Sequence, residues 1–209
     1  HHLDRLRAQV GRPLRLILGR FLVLVPDRYT QMPDLARLHL LRGTARGSVE
    51  CEGGHLVWNA FTPDDANLLL IQFETAGQAK LPTVTCSLDH LSDEAKQTLE
   101  DWGYEAPETG TENHGSHWLR LKLPEGGEYA VAWRMQKTER GGLLAVALLS
   151  HHDADRPLPE ALKLVREPDV QKLRASHEAW WKDWWRTSWL TIPDAWLENL
   201  WYAEMYKLG

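Results

Sequence analysis

Hydrophobic and polar positions follow two different periods along this chain, and the change falls close to residue 153. Before it, apolar residues come in short β-rich runs. His117, Leu119, Leu121 and Leu123 alternate with Trp118, Arg120 and Lys122, the period of two of a strand with distinct faces. Leu35, Arg37, His39 and Leu41 alternate with Ala36, Leu38 and Leu40 in the same way. Nine strands are predicted: Leu14–Val25, Leu35–Leu41, Thr44–Cys51, Gly54–Phe61, Asn67–Thr75, Pro82–Leu88, Ser116–Leu123, Glu128–Gln136 and Leu143–Ser150. Gly19 marks a bulge or bend in the first. Gly53-Gly54, Pro63-Asp64-Asp65, Pro124–Gly127 and Arg140–Gly142 supply hairpin turns. The acidic, glycine-containing stretch Asp89–Gly115 reads as a connection, with Ser92 capping a short helix. Strands at this spacing predict a mainly β fold, an antiparallel sandwich over one core.

After residue 153 the period becomes 3.6. Pro157-Leu-Pro159 opens a linker, and helices take over from about Asp169. Leu173, His177, Trp180 and Trp184 share one helical face, widened by Trp181 and Trp185. Ile192-Pro193-Asp194 interrupts and restarts the helix, with Thr191 or Asp194 as cap. Trp196, Leu197, Leu200, Trp201, Met205 and Leu208 make a second stripe. Seven of the 11 tryptophans lie between Trp180 and Trp201. Each offers roughly 150–250 Å² for burial, and two short helices cannot hide that area against each other. A further protein surface is expected against Trp180, Trp181, Trp184, Trp185, Trp189, Trp196 and Trp201.

The pattern His177-x-x-Trp180-Trp181-x-x-Trp184-Trp185-x-x-Ser188-Trp189, with Ile192-Pro193-Asp194 and an aromatic helix ending Met205–Gly209, resembles the linker of six-hairpin glycosidases. The likeness is greatest to glycoside hydrolase family 95, the α-L-fucosidases and α-galactosidases, and their uncharacterised relatives; family 65 shares the layout more distantly. The resemblance implies a β-supersandwich over residues 1–152, a linker with an aromatic helix over 153–192, and the first helix of an (α/α)6 barrel over 193–209. It places the inverting catalytic carboxylates in the rest of that barrel, beyond Gly209, and makes the barrel the route to a carbohydrate substrate.

Composition adds little restriction. The net charge of −5 and the lack of a basic stripe in sequence argue against nucleic acid as partner and suit a neutral sugar. No apolar run reaches the roughly 18 residues of a membrane span. The opening His1-His2-Leu-Asp-Arg lacks the apolar stretch of a signal peptide. A parent with an upstream signal would be periplasmic or extracellular; His1-His2 is a tag remnant or a trimmed boundary. Cys51 and Cys86 are two free thiols, or a disulfide if their α-carbons lie within about 7 Å.

Acid–base hydrolysis with inversion needs two carboxyls about 6.5–9.5 Å apart. Asp64-Asp65, Asp153 with Asp155, and Glu198 with Glu204 are the available pairs. The first sits in a turn, where acidic residues serve local hydrogen bonds, and the last points to two sides of one helix. None matches a family motif, so no catalytic residue is assigned. His114 with His117 and His151-His152-Asp153 have spacings a metal can use but lack a full ligand set; no metal or cofactor is expected. His177, on the aromatic face, is expected to donate to a backbone carbonyl across the domain junction, with substrate binding as the other reading. Trp102 and Trp58 are the candidates for stacking on a sugar ring, while Trp118 and Trp133 read as sheet packing. The expected function is a non-catalytic N-terminal domain and connector of a glycoside hydrolase. The alternative is a free-standing carbohydrate-binding β-sandwich whose helical tail self-associates.

Overall fold

The computed structural model describes residues 20–27, 35–87, 93–124 and 126–209. The expectations about His1-His2, Gly19 and the Ser92 cap lie outside these. Ten strands are described: β1 Arg20–Leu24, β2 Leu35–His39, β3 Thr44–Cys51, β4 Gly54–Phe61, β5 Leu68–Gly77, β6 Thr83–Ser87, β7 Glu108–Thr111, β8 His117–Lys122, β9 Glu128–Thr138 and β10 Gly141–Ser150. Four helices accompany them: α1 Asp93–Asp101, α2 Pro157–Arg166, α3 Val170–Thr187 and α4 Ala195–Leu208. The fold is mainly β, with two antiparallel sheets. Eight strands run in the order β2-β3-β4-β5-β10-β9-β8-β7, and β1 pairs with β6 in a separate ribbon.

β10 explains the layering. Its residues from Gly142 to Ala147 are buried without interruption, the mark of a strand covered on both faces. Leu143, Ala145, Ala147 and Leu149 join Phe61, Leu68, Leu70, Ala130 and Ala132 on one face. The alanines let α2 approach closely, and Ala161 and Val165, one helical turn apart, are fully buried there. Leu144 and Val146 point the other way, with Val49, Leu56, Phe73, Leu119, Val131 and Trp133. Phe21 and Val25 at the β1 end of the ribbon, with Val84 and Cys86 of β6, cover that second face.

Two elements differ from the sequence expectation. The linker expected from Pro157 begins instead with α2, a core helix: proline is tolerated in a first turn, where its missing N–H breaks no helical bond. Gln136 Nε2 donates to the Arg166 carbonyl at 2.7 Å and Arg134 donates to the same oxygen, closing the helix end. β7 lies inside the stretch read as a connection. Its sequence Glu-Thr-Gly-Thr carries no apolar alternation, so the period of two is silent there. Polar contacts hold this edge strand: Lys122 Nζ lies 2.8 Å from Glu108, which also pairs with Arg120. Cys51 and Cys86 are free thiols on the same inter-layer face, and burial raises both their pKa values. No helix among the described residues is long and apolar enough to cross a membrane.

The hydrogen bond from Lys122, and then that from Arg120, holds the Glu108 carboxyl below its ordinary range. A carboxylate depressed on folding stabilises above its unfolded pKa, about 4.3 for Glu, and that contribution fades as pH falls through the lower folded value. The melting-temperature gap between wild type and Glu108→Gln is therefore expected to be full at neutral pH and to shrink below about pH 4. A gap unchanged from neutral pH to about pH 2 contradicts the ion-pair assignment.

Candidate functional site

The connector helix α3 starts at Asp169, whose carboxylate accepts from the Lys172 N–H at 3.0 Å. It reaches a single 3-10 turn, Leu40–Arg42, between β2 and β3. Three side chains at successive helical turns meet that turn. His177 Nε2 lies 3.1 Å from the Gly43 carbonyl. A carbonyl only accepts, so Nε2 is the donor in this contact. Trp185 Nε1 donates to the Leu40 carbonyl at 3.2 Å. Between them the Trp181 indole packs against Gly43, where a Cβ would come within 1.9 Å of its Nε1. Gly43 also has φ of 58°, a left-handed conformation that glycine adopts without steric penalty. The seat exists because residue 43 has no side chain.

The line that docks is thus His177–Trp181–Trp185, one edge of the expected stripe of Leu173, His177, Trp180 and Trp184 widened by Trp181 and Trp185. Trp180 and Trp184 lie on its flank and stack on each other, 5.5 Å apart and 6° from parallel. His177 is only 2% exposed and packs 5.1 Å from Phe61. Arg174, one turn earlier, sits 4.7 Å above the other ring partner, Phe61, and donates to Gln72.

α4 folds back along α3. Asp194 caps it, accepting from Trp196 N–H at 3.0 Å and Leu197 N–H at 3.1 Å. Its inner face is made by two tyrosines: Tyr206 stacks on Trp181 at 4.9 Å, and Tyr202 meets Trp185 at 5.6 Å. Tyr202 also donates to the Leu190 carbonyl at 3.1 Å. The tryptophan stripe of α4 faces away. Trp196 is 70% exposed, and Leu197, Leu200 and Leu208 are exposed with it; Trp189, in the preceding segment, is 74% exposed. Trp201 is half-buried, edge-on to Tyr202.

A cleft of about 410 Å³ opens beside the seat, walled by Phe61, Asp64, His177, Trp180, Trp181 and Tyr206. His177 Nδ1 is buried and has no protein partner. The cleft combines aromatic walls with the Asp64 carboxylate at its rim. It offers no acid–base pair. Asp64 and Asp65 both face the Ser176 hydroxyl, at 3.5 and 3.4 Å, and tie the β4–β5 turn to α3.

Asp153, Glu198 and Glu204 are engaged in structure. Asp153 accepts from the Ser150 hydroxyl and backbone N–H, each at 2.7 Å. The hydroxyl contact first, then the N–H, keeps its carboxyl below the ordinary range, the wrong direction for a general acid. Glu198 accepts from the Ile192 N–H at 3.0 Å, and Glu204 pairs with Lys207. His117 stacks on Trp133 and contacts the Thr111 hydroxyl at 2.9 Å; His151 and His152 lie ring against ring. Among the described residues, no three His, Cys, Asp or Glu groups are placed to hold a metal. Trp102 is 47% exposed just beyond α1. Trp58 is half-buried and lines an apolar hollow under Val23–Val25. Neither lines the connector cleft. Trp118 packs on Gly110, and Trp133 is buried.

Sequence reasoning missed Gly43, Tyr202 and Tyr206. The first left a signal: a lone glycine between two strand-like runs, with no turn partner beside it. The tyrosines were overshadowed by the tryptophans around them.

No protein-family model matches this chain, and no curated protein does. Among solved structures, that of DynU16, a protein from the dynemicin biosynthetic locus, aligns with 66% of this chain and 80% of its own. The identity is 12% and the TM-score 0.19, too slight a likeness to carry an argument about fold or function.

Two penalties meet in Gly43→Ala: about 1–2 kcal/mol for a left-handed non-glycine residue and about 1–3 kcal/mol for overpacking. Urea unfolding is expected to show a loss of about 2–5 kcal/mol, their sum. Trp181→Ala, which empties the same seat, is expected to lose about 3–5 kcal/mol. A Gly43→Ala protein as stable as wild type would mean that α3 is not seated on the turn.

Proposed function

We propose that these 209 residues are the N-terminal β-supersandwich domain and connector of a six-hairpin glycosidase, non-catalytic on their own. In this reading residues 1–152 are the domain proper, 153–192 the linker and 193–209 the first helix of an (α/α)6 barrel. The barrel supplies the carboxylates and reaches the carbohydrate; family 95, with an inverting α-L-fucosidase-like reaction, is the nearest pattern. The carrying observation is the outward face of the α3–α4 pair, where Trp189, Trp196, Leu197, Leu200 and Leu208 stand exposed together with no described element over them. Soluble monomers rarely present so large an apolar surface without a partner for it. Covering α4 with further helix pairs is the role the aromatic connector motif implies.

The reading frame and the activity of the chain test this. The frame is expected to continue past Gly209 for several hundred residues of paired helices. The 209-residue chain is expected to give no turnover of aryl α-L-fucosides. A stop codon after Gly209 favours the carbohydrate-binding module with a self-associating tail. Turnover by the chain that Asp64→Ala or Asp65→Ala abolishes would move the site into the β domain.

A further inference from the structure

The helices leave part of their sheet face bare, over the outer strands β2, β3 and β4. The strand register there sets Arg37 opposite Arg46, Arg46 opposite Asn59, and Asn59 opposite Gln72. Residues paired across antiparallel strands share a face, so the four form one polar row across four strands. Its inner end is satisfied, because Arg174 of α3 bonds Gln72. Its outer end is a directly opposed pair of arginines. Ser48 and Glu50 follow Arg46 at period two, His55 stands opposite Glu50, and these side chains line a shallow groove of about 520 Å³ with both arginines.

Like charges directly opposed across two strands destabilise the pair. Arg120, Lys122, Lys80, Lys163, Arg186 and Lys207 each have a carboxylate partner. Neither Arg37 nor Arg46 has one among the described residues. Glu50, four residues along β3 from Arg46 and about 13 Å away between Cα atoms at strand spacing, forms no ion pair with it. In a chain of net charge −5, the pair is a local reversal of sign, a site that draws anions.

We propose that the Arg37–Arg46 groove binds an oxyanion: a carboxylate, sulfate or phosphate group. Each guanidinium presents a planar fork that takes two oxygens of one anion, and an anion between the two turns their repulsion into attraction. The Ser48 hydroxyl adds a neutral donor on the same strand face. The assignment is independent of the glycosidase reading and holds for the β domain whatever follows Gly209.

Thermal unfolding of the 209-residue chain at low ionic strength, with millimolar glucuronate, inorganic sulfate or inorganic phosphate, tests it. Glucose is the uncharged control. A saturable rise in melting temperature is expected with at least one oxyanion and not with glucose. Arg37→Gln and Arg46→Gln are each expected to weaken that response about tenfold or more, and Arg46→Lys by less, since it keeps the charge and loses the fork. Arg140→Gln, on a different turn, is expected to leave it intact. Without anion, Arg46→Gln is expected to melt higher than wild type, because the repulsion is gone. A stronger response to glucuronate than to both inorganic ions identifies an acidic sugar as the ligand; the reverse identifies a free or esterified inorganic oxyanion. No saturable response, or one that survives in Arg37→Gln and Arg46→Gln, overturns the proposal.

Discussion

Contact between an indole and a residue without a side chain organises the second half of this protein. Trp181 lies where the Cβ of residue 43 would be. That placement brings His177 and Trp185 within reach of the Gly43 and Leu40 carbonyls. Leu40 opens the short 3-10 turn and Gly43 caps it, with the Gly43 N–H donating to the Leu40 carbonyl at 3.2 Å. The two bonds from α3 grip both ends of that turn, and the turn fixes the rotation of the helix. Everything beyond follows from that rotation: Trp181 and Trp185 offer their remaining surface to Tyr206 and Tyr202, and α4 is held with its tyrosines inward.

Once the tyrosines face inward, the tryptophan and leucine stripe of α4 has nowhere to go but out. The β domain has closed its own core by then. β10 is buried on both faces, with α2 on one side and the β1–β6 ribbon on the other. The two most exposed tryptophans, Trp189 and Trp196, and three leucines beside them in sequence lie in this last stretch. A buried sheet core joined to an exposed apolar helical face is the observation behind our proposal that the chain braces something larger. The bare arginines of β2 and β3 lie on a different part of the sheet, so the two surfaces can be perturbed separately.

Much of the β layer was legible because alternation is a strong signal wherever one face is buried. β3 and β4 begin and end where the sequence puts them. β7 was not legible, since an edge strand held by Glu108, Arg120 and Lys122 has no apolar face to alternate. α2 was read as linker because two prolines within three residues look like a break, although a first turn accommodates them. The connector helix and the restart at Asp194 were plain from spacing and capping chemistry. The docking residues His177, Trp181 and Trp185 were all within the expected stripe, but its centre was not legible because tryptophans on both flanks satisfy a 3.6-residue period equally well. Only the partner surface, a glycine with positive φ, decides between them, and a sequence does not show which turn a helix will meet. The carboxylates were legible as types and not as roles: Asp153 and Glu198 bind backbone N–H groups, a use that spacing does not distinguish from catalysis.

Amide hydrogen exchange of the native 209-residue chain measures the seating of α3 most directly. If Trp181 on Gly43 anchors the connector to the sheet, the α3 amides from Ser176 to Trp185 open only with the core. Their exchange is then as slow as that of β9 and β10, while the outer turns of α4 exchange faster. Rapid exchange throughout α3 with β9 and β10 still protected would show a helix that is not held by the turn, and would contradict the dependence of the connector on Gly43.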